Sequence, residues 1–316
     1  MVAPIVVLGP QRLQPTLKDA IAELSGFDPR RARYAVVTAG WEERENEDRE
    51  LVEHLGGAVT NLRLFQRAEQ VFREDHALFQ ALLRRHERQQ KLQELYRLRL
   101  THALDAARAL LYRSNPEDDR ELVEIELRSA IEEVRVLDAF HVQRVRELHA
   151  SFDTEWHVLE RDAVAREREE LGDVLESASA VCIAGGHVGV LLSRLRLFGF
   201  ASLLRSQPIF CWSAGAMALS ERVVAFHDDP PEGTGNAQVL EAGLGLLRGV
   251  VPLPHARRRL RLGDPLRVAL FARRFGPALC VALDERTRVH WDGRRWHGAR
   301  GTQELRADGR LAEVSA

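Results

Sequence analysis

The chain has 316 residues, of which 45 % are apolar and 29 % are charged, and its formal net charge is −2. This composition is far from that of a disordered protein and can bury one large core or two ordinary ones. A net charge near zero excludes a global electrostatic field that would favour nucleic acid, and no apolar run approaches the length of a membrane span.

The three cysteines, Cys182, Cys211 and Cys280, are isolated in apolar runs, so no pair has the spacing of a metal or redox site. We therefore expect no metal and no cofactor, and a reducing compartment. Residues 1–10 have neither the basic start nor the long apolar stretch of a signal peptide. The predicted location is the cytoplasm.

Strand-like and helix-like patterns alternate at both ends of the chain. The predicted strands cover 4–9, 34–40, 58–64, 179–184 and 208–212, and the predicted helices cover 14–24, 46–55 and 188–198. Such alternation is typical of a mostly parallel sheet covered by helices on both faces, with a ligand crevice beyond the carboxyl ends of the strands. We predict a doubly wound α/β core built from residues 1–65 and 178–316.

The intervening residues 66–177 interrupt this alternation with a helical pattern. Apolar residues recur every three or four positions from Val123 to Phe152, and a less regular stripe precedes them. Between the two stripes, residues 114–119 have the composition of a turn, with Pro116 suited to the first position of a new helix. The pattern predicts an antiparallel, coiled-coil-like hairpin that projects from the core as a separable insertion.

Two interpretations of this hairpin remain open. Its two apolar stripes can bury each other, leaving only solvated charged faces. Alternatively, a surplus apolar edge can pair with a second copy of the chain or with another protein. The mixed charge of the segment argues against a nucleic-acid partner, which would need a stripe of one sign.

A serine interrupts the apolar run 209–217 at the predicted junction of a strand and a helix. A nucleophile on such a sharp turn needs small neighbours, and Ser213 is followed by Ala214 and Gly215. The N–H of the residue after the serine can also face a developing oxyanion. The other interpretation is an ordinary strand end followed by a helix that starts with small residues.

A histidine follows a second short apolar run, 250–254. His255 lies at a predicted strand end, where a base can reach the serine hydroxyl. The arginines that follow, including Arg257 and Arg259, can clamp a substrate carboxylate or form a solvated helix face.

Four segments together resemble the serine peptidases of the dipeptidase E and cyanophycinase family. They are Trp-Ser-Ala-Gly-Ala at 212–216, Ala-Gly-Gly-His at 184–187, the stretch from Gly243-Leu244 to Pro254-His255, and Leu283-Asp284-Glu285. The resemblance covers about residues 1–65 and 178–316. It implies the class I glutamine amidotransferase-like fold.

The resemblance also implies roles for individual residues. Ser213 matches the family's nucleophile and His255 its histidine, while Gly186 and Ala214 match its oxyanion donors. The acid member falls on Asp228, with Asp229 and Glu232 in the same acidic loop as alternatives. His187 stands where the family has asparagine or aspartate, a position that implies contact with substrate.

We thus expect a serine hydrolase that cleaves a small peptide or isopeptide amide bond. The alternative is a catalytically silent or repurposed relative that acts as an interaction module through its helical insertion. Glutamine amidotransfer is disfavoured, because it needs a cysteine at the turn and Cys211 lies two residues earlier, on the strand.

Overall fold

A computed structural model of the protein describes residues 4–23, 28–29, 31–113, 119–228 and 235–315. The strands are β1 (Ile5–Leu8), β2 (Arg33–Val37), β3 (Ala58–Asn61), β4 (Ala180–Ile183), β5 (Ile209–Trp212), β6 (Arg222–Ala225), β7 (Gln238–Ala242), β8 (Val250–Pro254), β9 (Leu279–Leu283), β10 (Arg288–Trp291), β11 (Trp296–Gly298), β12 (Gln303–Leu305) and β13 (Leu311–Glu313). The α-helices are α1 (Leu17–Ala22), α2 (Arg49–Leu55), α3 (Leu64–Glu74), α4 (His76–Tyr112), α5 (Arg120–Trp156), α6 (Asp162–Ser177), α7 (Val188–Leu197), α8 (Phe200–Leu203), α9 (Ala214–Leu219), α10 (Ala256–Arg259) and α11 (Pro265–Phe275).

A seven-stranded sheet with the order β11-β10-β1-β5-β4-β2-β3 forms the centre of the fold. Its five strands from β1 to β3 are parallel, and β10 and β11 add an antiparallel edge. Alternate residues of β1 enter two hydrophobic clusters: Ile5 and Val7 one, Val6 and Leu8 the other. Both sheet faces are therefore covered, which confirms the α/β architecture expected from the sequence.

The strand that leads to His255 lies in a separate four-stranded sheet with the order β13-β12-β9-β8. Within it β8 and β9 run parallel, and Pro254 pairs with Leu283 at their carboxyl ends. Because β10 occupies the edge of β1, the central sheet cannot continue there into β8. A small two-stranded sheet of β6 and β7 completes the topology of the described residues.

The helical region differs from its prediction at both ends. The helical pattern that was predicted to start at residue 66 is divided at Asp75, whose side chain accepts a hydrogen bond from the N–H of Leu78 and so caps α4. Asp119 is the residue before α5 and accepts from the N–H of Leu122, whereas Pro116 lies outside the described residues. α5 continues without a break through Asp153 and ends at Trp156.

The hairpin of α4 and α5 packs along the core instead of projecting from it. Each helix has 37 residues and is about 55 Å long. Leu104 of α4 and Leu137 of α5 belong to the same hydrophobic cluster as Phe271 and Leu253 of the C-terminal half. Since α3 and α6 pack in the cluster of the central sheet, the hairpin proper is shorter than the predicted insertion 66–177.

Buried polar contacts join the hairpin to the core. Tyr96 donates to Asp138 across the two helices at 2.6 Å, and Arg274 of α11 donates to Asp138 at 2.7 Å. A second contact joins His149 of α5 to Glu241 of β7 at 3.0 Å. These side chains are largely or completely shielded from water.

In the part of the chain that the structure describes, no helix combines the length and the apolar character that crossing a membrane requires.

Candidate active site

Ser213 lies on a sharp turn between β5 and α9. Its backbone has φ 50° and ψ −122°, a conformation that L-residues rarely adopt. Such a conformation costs about 1–3 kcal/mol and persists only where the surrounding structure imposes it. Ser213 is half-buried, although the residues on both sides of it are buried. The strained turn thus holds the side chain at the carboxyl edge of the sheet, as a nucleophile elbow does.

Glycines allow the chain to pass close to this turn. A Cβ atom on Gly215 would lie 2.4 Å from the carbonyl oxygen of Ile183, so α9 can approach β4 only with glycine at that position. Likewise, a Cβ atom on Gly185 would lie 2.8 Å from the Cβ of Ser213. Close packing around the turn therefore explains why small residues stand next to Ser213 in the sequence.

The loop after β4 is held between Ser213 and the end of β2. The N–H of His187 donates to the carbonyl of Gly40 at 2.7 Å, and Gly186 has φ 117°. The N–H groups of Gly186 and Ala214 have no acceptor among the described residues. The two expected oxyanion donors are therefore both free to bind an external oxygen.

His187 caps the helix that follows this loop. Its Nδ1 accepts a hydrogen bond from the N–H of Val190 at 3.1 Å, which an asparagine or aspartate side chain can also do at a helix start. The imidazole is exposed at the crevice edge. His187 thus caps α7 and leaves its ring at the edge of the crevice.

His255 follows β8 in a left-handed backbone conformation, with φ 57° and ψ 39°. Its N–H donates to the carbonyl of Leu283 at 2.9 Å, which ties the end of β8 to the end of β9. Burial lowers the pKa of the imidazole, and the positive charge of Arg259 lowers it further. The nearby carboxylates of Asp284 and Glu285 oppose this shift. A histidine with a lowered pKa is neutral near pH 7 and can accept a proton.

Asp284 is the half-buried carboxylate beside His255. It directly follows β9, and burial raises its pKa while the charges of Arg257 and His255 lower it. The N–H of Arg257 donates to Asp284 at 3.1 Å, and the exposed Arg257 guanidinium lies 3.7 Å from the same carboxylate. In the sequence Asp284 entered only as part of a motif. Its place directly after a buried strand is the signal that could have identified it as a site residue.

β1 brings the ends of the two sheets together. Leu8 pairs with Trp212, the residue before Ser213. The next residue, Gly9, approaches the carbonyl oxygen of Asp284 so closely that a Cβ atom would lie 1.8 Å from it. The strand ends that carry Ser213, Asp284 and His255 are therefore neighbours at one edge of the molecule.

Asp228, the acid that the resemblance implies, has other partners. Its buried carboxylate accepts from the N–H of Arg261 at 2.6 Å and from the guanidinium of Arg267 at 2.5 Å. It lines a cavity of about 320 Å³ beside the hairpin, and neither Ser213 nor His255 lines that cavity. Among the described residues, Asp284 is thus the carboxylate that lies near His255. Asp228 instead binds the segment after α10.

The two alternatives to Asp228, Asp229 and Glu232, lie outside the described residues. Burial raises the pKa of the Cys211 thiol, which lies within β5 and points into a hydrophobic cluster. A buried, protonated thiol is a poor nucleophile. No group of three or more potential metal ligands occurs in the described parts of the chain.

A protein-family model matches the part of the chain that contains this site. The model of peptidase family S51 matches residues 134–297, just over half of the chain and all of the strand ends that carry Ser213, His255 and Asp284. No curated protein matches the chain significantly.

Two solved structures align with nearly the whole chain at low identity. A peptidase from an acI-B1 Actinobacterium is 12 % identical, with a TM-score of 0.48 over 100 % of this chain and 95 % of its own. A putative peptidase E protein from Listeria monocytogenes EGD-e is 10 % identical, with a TM-score of 0.46 over 95 % of this chain and 99 % of its own.

Proposed function

The chain belongs to peptidase family S51, and from that premise we propose that it cleaves a small peptide or isopeptide amide bond with Ser213 as the nucleophile and His255 as the base. The observation that carries this proposal is the strained backbone of Ser213 at the carboxyl edge of a parallel sheet. Strain of this kind at a strand end places a hydroxyl at the crevice, which a purely structural serine does not need.

In the proposed reaction, neutral His255 accepts the Ser213 hydroxyl proton while the serine oxygen attacks the substrate carbonyl carbon. The N–H groups of Gly186 and Ala214 stabilise the oxyanion that forms. His255 then donates its proton to the leaving amine, and an acyl-enzyme remains. Water, deprotonated by His255, attacks the acyl carbon, the bond from that carbon to the Ser213 oxygen breaks, and His255 returns its proton to the serine oxygen as the acid product leaves.

The acid of the proposed triad is Asp284 rather than Asp228. An acid in this role orients the histidine and stabilises the imidazolium that forms during attack. Asp284 interacts electrostatically with His255, whereas both oxygens of Asp228 accept bonds from the segment around Arg261 and Arg267. Arg257 and His187 are the proposed substrate contacts at the rim of the site.

The three buried free cysteines support a reducing location such as the cytoplasm.

Fluorophosphonate labelling tests the nucleophile. We expect the wild-type chain to be labelled at Ser213 and Ser213→Ala to lose both labelling and about 10⁴- to 10⁶-fold of its hydrolytic turnover, with an unchanged thermal unfolding transition. Ser206→Ala, which alters an exposed serine close to the start of β5, is the matched control and should behave as wild type. Persistent labelling or turnover in Ser213→Ala would show that another residue is the nucleophile.

A further inference from the structure

The helical hairpin exposes large apolar side chains on the face that points away from the core. Leu95 and Leu98 of α4 are 63 % and 62 % exposed, and Val136 and Phe140 of α5 are 59 % and 53 % exposed. The opposite face of the same two helices is buried against β7 and α11. We call the surface formed by these four residues and the adjacent groove the outer face.

The outer face has the periodicity of a helix-packing surface. In α4 the residues Arg88, Lys91, Leu95, Leu98 and His102 follow one another at steps of three and four. In α5 the same steps connect Glu126, Ser129, Glu133, Val136 and Phe140. Spacing of this kind places each set on one stripe that can pack against another helix.

A groove of about 460 Å³ lies between Arg99 and Ala103 of α4 and the stripe of α5. The small side chains of Ala103 and Ser129 line it, and Val136 borders it. Beside it the guanidinium of Arg99 lies over the ring of Phe140, 5.7 Å from the ring centre. A depression between projecting apolar side chains can receive side chains from a facing helix.

The two helices carry opposite charge. α4 contains seven basic and three acidic residues, whereas α5 contains nine acidic and five basic residues, so their net charges are +4 and −4. On the two stripes the charged side chains follow this division, with Arg88 and Lys91 on α4 and Glu126 and Glu133 on α5, and Arg99 of α4 and Glu132 of α5 border the groove. The surface therefore carries both members of a complementary pair.

We propose that the outer face binds the outer face of a second copy of this chain, forming a dimer through an antiparallel four-helix bundle. A two-fold axis parallel to the helices places α4 of one copy opposite α5 of the other and preserves the height of each residue along the bundle. Arg99 then faces Glu133 of the second copy, because these two residues border the same groove within one chain.

The charges disfavour the other face-to-face two-fold arrangement. An axis perpendicular to the helices would place α4 against α4 and α5 against α5, so that the like charges of each helix would oppose each other. A self-complementary surface is what an isologous dimer requires.

Sedimentation equilibrium of the full chain over micromolar concentrations tests the dimer. We expect a monomer–dimer equilibrium for the wild-type chain and a dimer at least about tenfold weaker for Phe140→Asp, because a charge replaces a central apolar contact. Leu13→Asp, a change at a leucine that is 77 % exposed outside the hairpin, should leave the equilibrium unchanged. Circular dichroism should show the same helix content in all three chains.

A mixing experiment tests the arrangement of the helices. Arg99→Glu and Glu133→Arg should each dimerise more weakly than wild type, since each places like charges opposite one another twice. When the two variants are mixed, the two introduced side chains face each other with opposite charge, and the unchanged Arg99 and Glu133 form the native pair at the symmetric position. The heterodimer should therefore be close to wild type in strength. Contacts within one chain cannot produce this recovery, because each variant carries only one change.

Three results would overturn the proposal. A wild-type chain that is monomeric at all concentrations would exclude the dimer, even if another protein bound the outer face. A dimer that survives Phe140→Asp would place the interface elsewhere. Failure of the two charge variants to weaken the dimer singly, or to recover it together, would exclude the pairing of α4 with α5.

Discussion

The strand-end site and the contact between hairpin and core both contain partly or fully buried ionisable groups, yet they are built differently. At the strand ends, His255 and Asp284 are half-buried and the N–H groups of Gly186 and Ala214 have no described acceptor. At the hairpin, Asp138 and Arg274 are almost inaccessible, and each makes several hydrogen bonds. The N–H groups proposed to meet a substrate have no acceptor in the described structure, whereas Asp138 and Arg274, which stabilise the fold, each make several hydrogen bonds.

Removal of the helical hairpin should have the largest effect on the protein. Replacing residues 76–156 with a short linker should yield insoluble protein, because it exposes the cluster that Leu253 and Phe271 share with α4 and α5. This reverses the expectation of a separable insertion. If the protein without the hairpin is soluble and unfolds cooperatively, as measured by circular dichroism, then the hairpin is a separable insertion after all.

Asp284 and Asp228 offer a direct test of the two kinds of carboxylate. Asp284→Asn should reduce kcat by about 10⁴-fold with little change in KM, because the acid acts on the imidazolium that forms during attack. Asp228→Asn should instead lower the free energy of unfolding by about 1–3 kcal/mol, since its bonds to the segment after α10 are lost. Kinetics and chemical denaturation of both variants measure the difference. If Asp228→Asn lowered kcat and Asp284→Asn lowered only the stability, Asp228 would be the acid of the triad.

The buried pair at the hairpin should respond like a structural group. Arg274→Leu should lower the free energy of unfolding by about 3–5 kcal/mol, because it leaves the carboxylate of Asp138 buried without its main partner. The double variant Asp138→Leu/Arg274→Leu should be more stable than Arg274→Leu alone, since no buried charge remains unpaired. The turnover of the folded single variant should equal that of wild type. A loss of turnover without a loss of stability would connect this pair to catalysis.

The smallest expected effect is a shift in pH dependence. His255 must be neutral to accept a proton, so kcat/KM should rise with pH through the pKa of His255, below the ordinary value of about 6.5. Arg259→Gln removes a positive charge that lowers this pKa, and the acid limb of the profile should therefore move to higher pH. Arg258→Gln should move it in the same direction by less, and Arg12→Gln should not move it. A limb that stays in place in Arg259→Gln would mean that His255 is not the titrating base.

Local patterns determined much of this protein from the sequence alone. The five parallel strands, the serine between β5 and α9 and the glycines beside it follow from apolar runs and small residues that are adjacent in the chain. The apolar stripe of α5 was predicted for the same reason, because helical periodicity is a local property.

The tertiary structure decided what depends on distant residues. The resemblance implied Asp228 as the acid, whereas the pairing of β8 with β9 places Asp284, 29 positions after His255, beside the histidine, and Asp284 is therefore the acid that we propose. Sequence periodicity likewise showed that α4 and α5 have an apolar face. It did not show that α11 and β7 cover that face, or that a second apolar stripe lies on the opposite side. Strand pairing and helix packing join residues far apart in sequence, and their partners are selected by the complete fold.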